Sequence, residues 1–429
     1  MPRAVSSICM RFASVVLLTA LPAAAASLRA SAAKVDITPE SPQWLMGYNA
    51  RQSTGVHDHL YHRVLALESG SEQVFLAASD LCLFSPSVYD DVAQELERTL
   101  GILRTHFWWS VTHSHAAPEV GVPGMYKTLL GRSDHEWNRE YAAFVKESLV
   151  RAVRDAREKL EPARIAFGQG VAFANINRRA KDGDSQVSLG LNPDGPADRQ
   201  TNLVRLERPD GTLIALIANY AIHGTVMSGQ NLLISGDAPG TVSAYLEQKL
   251  NAPVLFVNGA AGNMAPIYSG YPNPRSGHLS QFRVLLGDHI LAALDSMGPA
   301  ASDATLWAGE KTISTPQKGG LEWPGDLARY ATNAAGRPMV NLPIRFLRIN
   351  DTLIWSAPVE MFCEIAMAVR NQSPFPHTFY FGYTNGWFGY LPTSQAFSEG
   401  GYEPHTSPFT GQAEQDVTEG VVAFIQGMH

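Results

Sequence analysis

Two runs of residues, Asn202–Glu207 and Thr212–Tyr220, meet at Pro209-Asp210-Gly211, and this turn constrains the fold of the chain more than any other single feature. Proline presets φ at one corner and glycine accepts the positive φ of the next, so the runs are expected to fold back as an antiparallel hairpin. A second hairpin is expected where Asn350-Asp351 separates Ile344–Ile349 from Leu353–Ser356. Other strands lead into helices. Gln73–Phe84 reads as a buried strand, after which Ser85 can cap a helix from Pro86, with Val88, Val92 and Leu96 on one face and Gly101 ending it. His106–Thr112 reads as a strand ending at His113, and Val254–Val257 as a short strand running into the loop NGAAGN. Trp137–Leu160 reads as an amphipathic helix with Tyr141, Phe144, Leu149, Val153 and Leu160 near one face, and Ala413–Met428 as a closing helix. Hairpins interleaved with strand–helix crossovers imply an α/β chain with mixed sheets and interleaved helices.

Of the 429 residues 45% are hydrophobic, enough for a large buried core, and the net charge of -7 carries no basic stripe, which argues against a nucleic-acid partner. Arg3 and Arg11, the apolar run Phe12–Leu21, Pro22 and the alanines 23–26 have the order of a secretory signal, so residues 1–26 are expected to be a signal peptide and the protein exported, to the periplasm or beyond the cell. No later run is long enough for a transmembrane helix. Cys9 would leave with the signal. Cys82 and Cys363 stand in apolar surroundings, as a disulfide or as two buried thiols, and their spacing excludes a thiolate metal cluster. The polar, Gly/Pro-rich segments Lys181–Asp198 and Tyr268–Ser280 have the composition of loops that border a binding site.

His113 and His115, in THSH, follow a strand, and period-two alternation predicts both rings on one face, where neutral imidazoles suit zinc. The HxHxDH pattern of metallo-β-lactamase-like enzymes fails at Ala117 and Pro118. A barrel-type amidohydrolase site would need His223 together with Asp80 or Asp237. Read singly, His223 is a structural histidine, Glu360 favours the start of a helix through its dipole, and Tyr390 is a packing aromatic. Phe107, Trp108 and Trp109 read as core. His57, His59 and His62 read as loop histidines, with His57 a candidate supporting residue, and Asp80 as a candidate to orient a ligand histidine.

The ordered series GYN, STGVHDH, SDLCLF, VTHSHAAP, NINRR, AIHGT, ISGD, NGAAGNMAP, APVEMF and GYTNGWFGYLPT resembles the catalytic domain of neutral ceramidases from about Ala33 to Tyr402. The resemblance implies one catalytic domain over residues 27–429, one zinc ion per chain held by His113, His223, Glu360 and Tyr390, and a substrate carbonyl bound or polarised by His115 and Arg178, with Tyr402 in the pocket. It implies hydrolysis of an N-acyl amide bond of a lipid by zinc-activated water. Two departures from the family stand out. Where the family has a serine in the Gly-Asn loop this chain has Ala265, which removes any serine acyl-enzyme at that place. The family's C-terminal immunoglobulin-like domain is also expected to be missing, with part of the insertion before Glu360. The rival readings are a zinc esterase or deacylase, and a secreted binding protein with a retained metal site. A small-molecule or lipid amide is the expected partner, with at most transient contact with a membrane surface.

Overall fold

The computed structural model describes residues 26–132, 135–181, 186–269 and 278–428. The expected signal peptide lies outside them except for Ala26, which already pairs with Ala304 at the start of the strand Ala26–Asp36.

Three large sheets share one interior. The first runs in the order Asp303–Ala304, Ala26–Asp36, Tyr61–Ser69, Glu72–Ser79, Phe107–Val111. The second runs Val254–Asn258, Leu213–Tyr220, Gln200–Glu207, Arg164–Val171, and the third Leu306–Pro316, Arg337–Ile349, Thr352–Ser356, His377–Phe381. Their inner faces meet in one apolar cluster that includes Leu65 and Trp108 from the first, Val204 and Ile217 from the second, and Leu347 and Phe379 from the third. Helices cover the outer faces: Pro86–Leu100 and Arg139–Glu158 on the first sheet, Asp237–Leu250 and His289–Asp295 on the second, Gln412–Gln426 on the third. This is the expected mixed α/β arrangement.

Most pairs are antiparallel, but each sheet holds one parallel pair: Glu72–Ser79 with Phe107–Val111, Leu213–Tyr220 with Val254–Asn258, and Thr352–Ser356 with His377–Phe381. The carboxyl ends of these strands open onto one region, the place where α/β sheets bind ligands. That placement decides where the site can be.

Both hairpins form where their turns predict. Ser85 caps Pro86–Leu100, and Gly101 closes it with φ 67. The strand expected over Gln73–Phe84 stops at Ser79, because Leu81, Cys82 and Leu83 are buried in a loop rather than a ladder. His106 lies in a 3-10 turn ahead of Phe107. The long helix spans Arg139–Glu158, and Phe144 is 40% exposed while Ala142, Val145 and Ala152 take the inner face. His62 is not a loop residue: it sits buried on Tyr61–Ser69, between Ser79 Oγ at 2.6 Å and the Val145 carbonyl at 3.0 Å. His57 and His59 are exposed and pair with Asp58 and Asp36. Phe107, Trp108 and Trp109 are core residues, as expected. Cys82 and Cys363 are free, buried thiols. Among the described residues no helix is long and apolar enough to cross a membrane.

Candidate metal centre and its cavity

The strand Phe107–Val111 is followed by Thr112, and His113 then turns with φ 63, a left-handed conformation rare for a residue with a Cβ. This turn, not strand alternation, brings the two rings of THSH together, with His113 Nε2 3.2 Å from His115 Nε2. His223 follows Leu213–Tyr220 and lies alongside: Gly224 N–H donates to the His113 carbonyl at 3.2 Å, and His115 N–H donates to the Gly224 carbonyl at 2.8 Å. Gly224 is required for this contact, because a Cβ there would stand 2.6 Å from the His113 carbonyl oxygen and 2.8 Å from Ser114 Cα.

Glu360 was expected at a helix start. It stands instead on the two-residue strand Glu360–Met361, paired in parallel with Tyr390–Leu391, and the helix begins only at Cys363. One carboxylate oxygen, Oε2, lies 3.3 Å from His113 Nε2 and 3.1 Å from His223 Nε2. The other accepts from Trp387 Nε1 at 3.0 Å, while the Tyr383 hydroxyl donates to Oε2 at 3.3 Å.

The outer nitrogens fix the tautomers. His113 Nδ1 faces the Cys82 carbonyl at 3.1 Å, and His223 Nδ1 faces the Met264 carbonyl at 3.0 Å. Each Nδ1 must carry the proton, because a carbonyl only accepts. His113 Nε2, His223 Nε2 and the Glu360 carboxylate therefore point at one another within 4.8 Å, an arrangement that suits a divalent cation. Burial, reinforced by Arg178 and His113, pushes the His223 pKa down to about 3, so its ring is neutral at pH 7. Burial and the neighbouring His113 and His223 hold His115 well below the usual imidazole value. Burial opposes ionisation of Glu360, but the two imidazoles outweigh it and keep the carboxyl well below the usual carboxylate range. Two imidazoles and a carboxylate form a donor set that suits zinc, and the residues present fit the ion.

Arg178, on the strand Asn175–Lys181, donates from Nη1 to His223 Nε2 at 2.9 Å, and its Cζ lies 5.3 Å from the centre of the Tyr390 ring. Tyr390 and Tyr402 meet edge to face at 5.6 Å. All seven residues singled out in the sequence thus come together in one neighbourhood. All but the buried His223 line a cavity of about 900 Å³, and Ala265 also lines it. Its lining includes the apolar side chains of Leu83, Leu130, Leu189 and Leu191 and the polar ones of Asn49, Thr225, Ser228 and Ser269. Leu189 and Leu191 are 54% and 44% exposed.

Neither the supporting role expected of Asp80 nor the rival barrel-type site is met. Asp80 accepts from Arg63 Nη1 at 2.7 Å and from the Tyr61 amide at 3.0 Å, and holds no histidine. Asp237 accepts the amides of Val226 and Met227 at the start of its own helix, so neither carboxylate completes a barrel-type site. Sequence reasoning missed Tyr383, Trp387 and Glu403. The first two lie inside GYTNGWFGYLPT, where their donor groups are the only local signal.

Residues 29–280 match the family model described as neutral/alkaline non-lysosomal ceramidase, N-terminal. The chain is 28% identical over 273 residues to the neutral ceramidase of Pseudomonas aeruginosa, covering 59% of this chain and 39% of that protein. It is 27% identical over 270 residues to the neutral ceramidase of Mycobacterium tuberculosis, covering 56% and 40%. These matches span about two fifths of the relatives' length. The crystal structure of the Pseudomonas aeruginosa neutral ceramidase superposes with a TM-score of 0.76 at 18% identity, over 94% of this chain and 74% of that one, which shows a shared fold. With 252 of its 429 residues inside the family model, the chain belongs to the neutral/alkaline non-lysosomal ceramidase family.

Proposed function

We propose that the chain is a zinc-dependent amidohydrolase that cleaves an N-acyl amide bond, in an N-acylsphingosine or a related lipid amide. One observation carries this reading: ring nitrogens of His113 and His223 and the carboxylate of Glu360 converge beside a part-apolar cavity. In this reading Tyr390, which lines the same cavity, is the fourth ligand. Zinc bound there would polarise the amide carbonyl and lower the pKa of water towards ~7.

The remaining chemistry belongs to side chains. Arg178 supplies a fixed positive charge for the oxyanion of the tetrahedral intermediate. His115, held neutral by burial, can accept a proton from attacking water and return it to the leaving amine. Ala265 offers no nucleophile, so water attacks directly. Leu189 and Leu191, which line the cavity, suit an acyl chain, with Tyr402 beside the reacting carbonyl. The leader-like N-terminus supports export.

Elemental analysis should find one zinc per chain, and a panel of C12-ceramide, N-lauroylglycine and p-nitrophenyl octanoate should show turnover of an amide. His113→Ala and His223→Ala should each lose zinc and turnover together. Full activity in chelated, zinc-free protein would refute the proposal, and cleavage of the ester alone would assign the site to a zinc esterase.

A further inference from the structure

We propose that Glu403 is a positioning residue that aims Arg178 at the reacting carbonyl, an inference that rests on the amidohydrolase reading above. Glu403 belongs to the one-turn helix Tyr402–His405, and its side chain is fully buried. Its Oε1 accepts from Arg178 Nε at 2.9 Å, and its Oε2 accepts from Arg179 Nη1 at 2.8 Å. Consecutive residues on a regular strand point to opposite faces, so two neighbouring arginines should not reach one carboxylate. They do so here because the ladder shifts register between Asn177 and Arg179, which turns both side chains towards the same partner. On the opposing side the backbone adopts φ 75 at Gly400 and φ 95 at Gly401, and a Cβ on Gly401 would come within 3.3 Å of Arg179 Nη1. A strand bulge and a glycine pair both serve to bring this carboxylate to these guanidinium groups.

The consequence lies at Arg178. Its Nε is tied to Glu403, its Nη1 reaches His223 Nε2, and its Nη2 is buried with no hydrogen-bond partner although the residue lines the cavity. A flexible arginine beside an anionic Glu360 would otherwise be drawn onto that carboxylate and compete with the cation for it. Tethered at Nε, the fork lies against His223 Nε2 rather than on Glu360; a cation taking that nitrogen would release Nη1, and Nη2 is already without a partner, so both can turn to a substrate oxygen. Arg179 has a different set of partners: besides Glu403 it bonds Glu399 at 3.2 Å and the Gly400 carbonyl at 2.9 Å. Its interactions fasten the Tyr402 turn to the sheet.

The test compares Glu403→Gln with Arg179→Gln in the zinc-loaded protein, each assayed for turnover of C12-ceramide, zinc content, denaturant stability and binding of dodecylphosphonate, a tetrahedral anion, by calorimetry. Glu403→Gln should keep one zinc per chain, lose about 10- to 100-fold in kcat with KM within about threefold, and bind the phosphonate about 10-fold more weakly. Arg179→Gln breaks the same buried cluster and should lose stability while keeping kcat within about twofold, because Arg178 keeps its tether. Adding Glu403→Gln to Arg178→Ala should cost no further kcat. Equal loss of kcat in Glu403→Gln and Arg179→Gln would make Glu403 a structural residue and overturn the proposal, as would wild-type turnover in Glu403→Gln. If Glu403→Gln does not fold, Glu403→Asp keeps the charge but not the reach, and unchanged kcat and phosphonate affinity in it would overturn the proposal equally. A wild-type protein without zinc, turnover or phosphonate binding would instead reject the amidohydrolase reading, and this inference with it.

Discussion

Gly224→Ala adds one methyl group outside any ligand and should still disable the site. The new Cβ would lie 2.6 Å from the His113 carbonyl oxygen, against an ordinary contact of 3.4 Å or more, so the two backbones must part by about 0.8 Å. Neither side can yield by a rotamer change, because the atoms met are backbone. Parting them strains the Gly224–His113 hydrogen bond and the His115–Gly224 hydrogen bond at once. Overpacking at about 1–3 kcal/mol and one weakened bond at about 1 kcal/mol give a loss of about 2–4 kcal/mol in stability. The functional effect is larger, because metal–ligand distances tolerate only about ±0.2 Å. Separating His113 from His223 by more than that should weaken zinc binding by at least about 10- to 100-fold, with turnover at saturating zinc falling about 100-fold. Competition against a chromophoric chelator measures the first quantity, and initial rates at fixed free zinc the second. Gly319→Ala, where a Cβ meets nothing within 4 Å, is the control. A Gly224→Ala protein with wild-type zinc affinity and rate would show that the THSH turn and His223 are not rigidly coupled, and the geometric argument for the centre would fail.

His62 is buried as the neutral ring with its pKa lowered to about 4. The unfolded chain binds more protons between pH 4 and 6.5, so stability should fall on acidification through that window. The loss should be about 1.5 kcal/mol from pH 6.5 to 5 and reach about 3 kcal/mol below pH 4; a His62→Gln protein that keeps this slope in urea titrations would refute the assignment. Arg63→Met should cost about 3–5 kcal/mol in the same assay, because it strands the buried carboxylate of Asp80 and weakens the hold on Glu247. A loss under 1 kcal/mol would mean that Asp80 is protonated in the native state. Burial raises the pKa of the Cys82 and Cys363 thiols well above the ordinary value, so neither should react with a disulfide reagent until the protein unfolds. Labelling of Cys82 in the native state would show that the cavity floor opens.

The parts of the fold that the sequence expressed are those written in adjacent residues. Ser85 and Gly101 set the ends of one helix, and Pro209-Asp210-Gly211 and Asn350-Asp351 made their hairpins. Errors arose where burial and secondary structure part company. Leu81, Cys82 and Leu83 are as apolar as a strand because they are buried, yet they form the loop whose Cys82 carbonyl orients His113. Phe144 has the spacing of the buried face but lies just beyond its edge, since a periodicity of 3.6 locates a stripe only to within about a residue.

The residues of the centre were recoverable through resemblance, but their convergence was not written in any local spacing. His113 and His223 follow the carboxyl ends of strands in two of the large sheets, and Glu360 comes four residues after Thr352–Ser356 of the third, on its own short strand; what unites them is that each large sheet contains one parallel pair opening the same way. Where those ends cross, the backbone has no room for a side chain: Gly224 lies against the His113 carbonyl, and a Cβ on Gly262 would stand 2.5 Å from the Glu360 carbonyl oxygen. IHGT and AAGN therefore carry their glycines as crossing points between sheets rather than as turns. Contact at this range couples the backbones of the candidate ligands, so their mutual geometry depends on the packing of the three sheets. A substitution in the shared core that shifts one sheet, such as Leu347→Ala, should then weaken zinc binding although it touches no ligand, whereas an equally destabilising change in the outer helix Gln412–Gln426, such as Val421→Ala, should not.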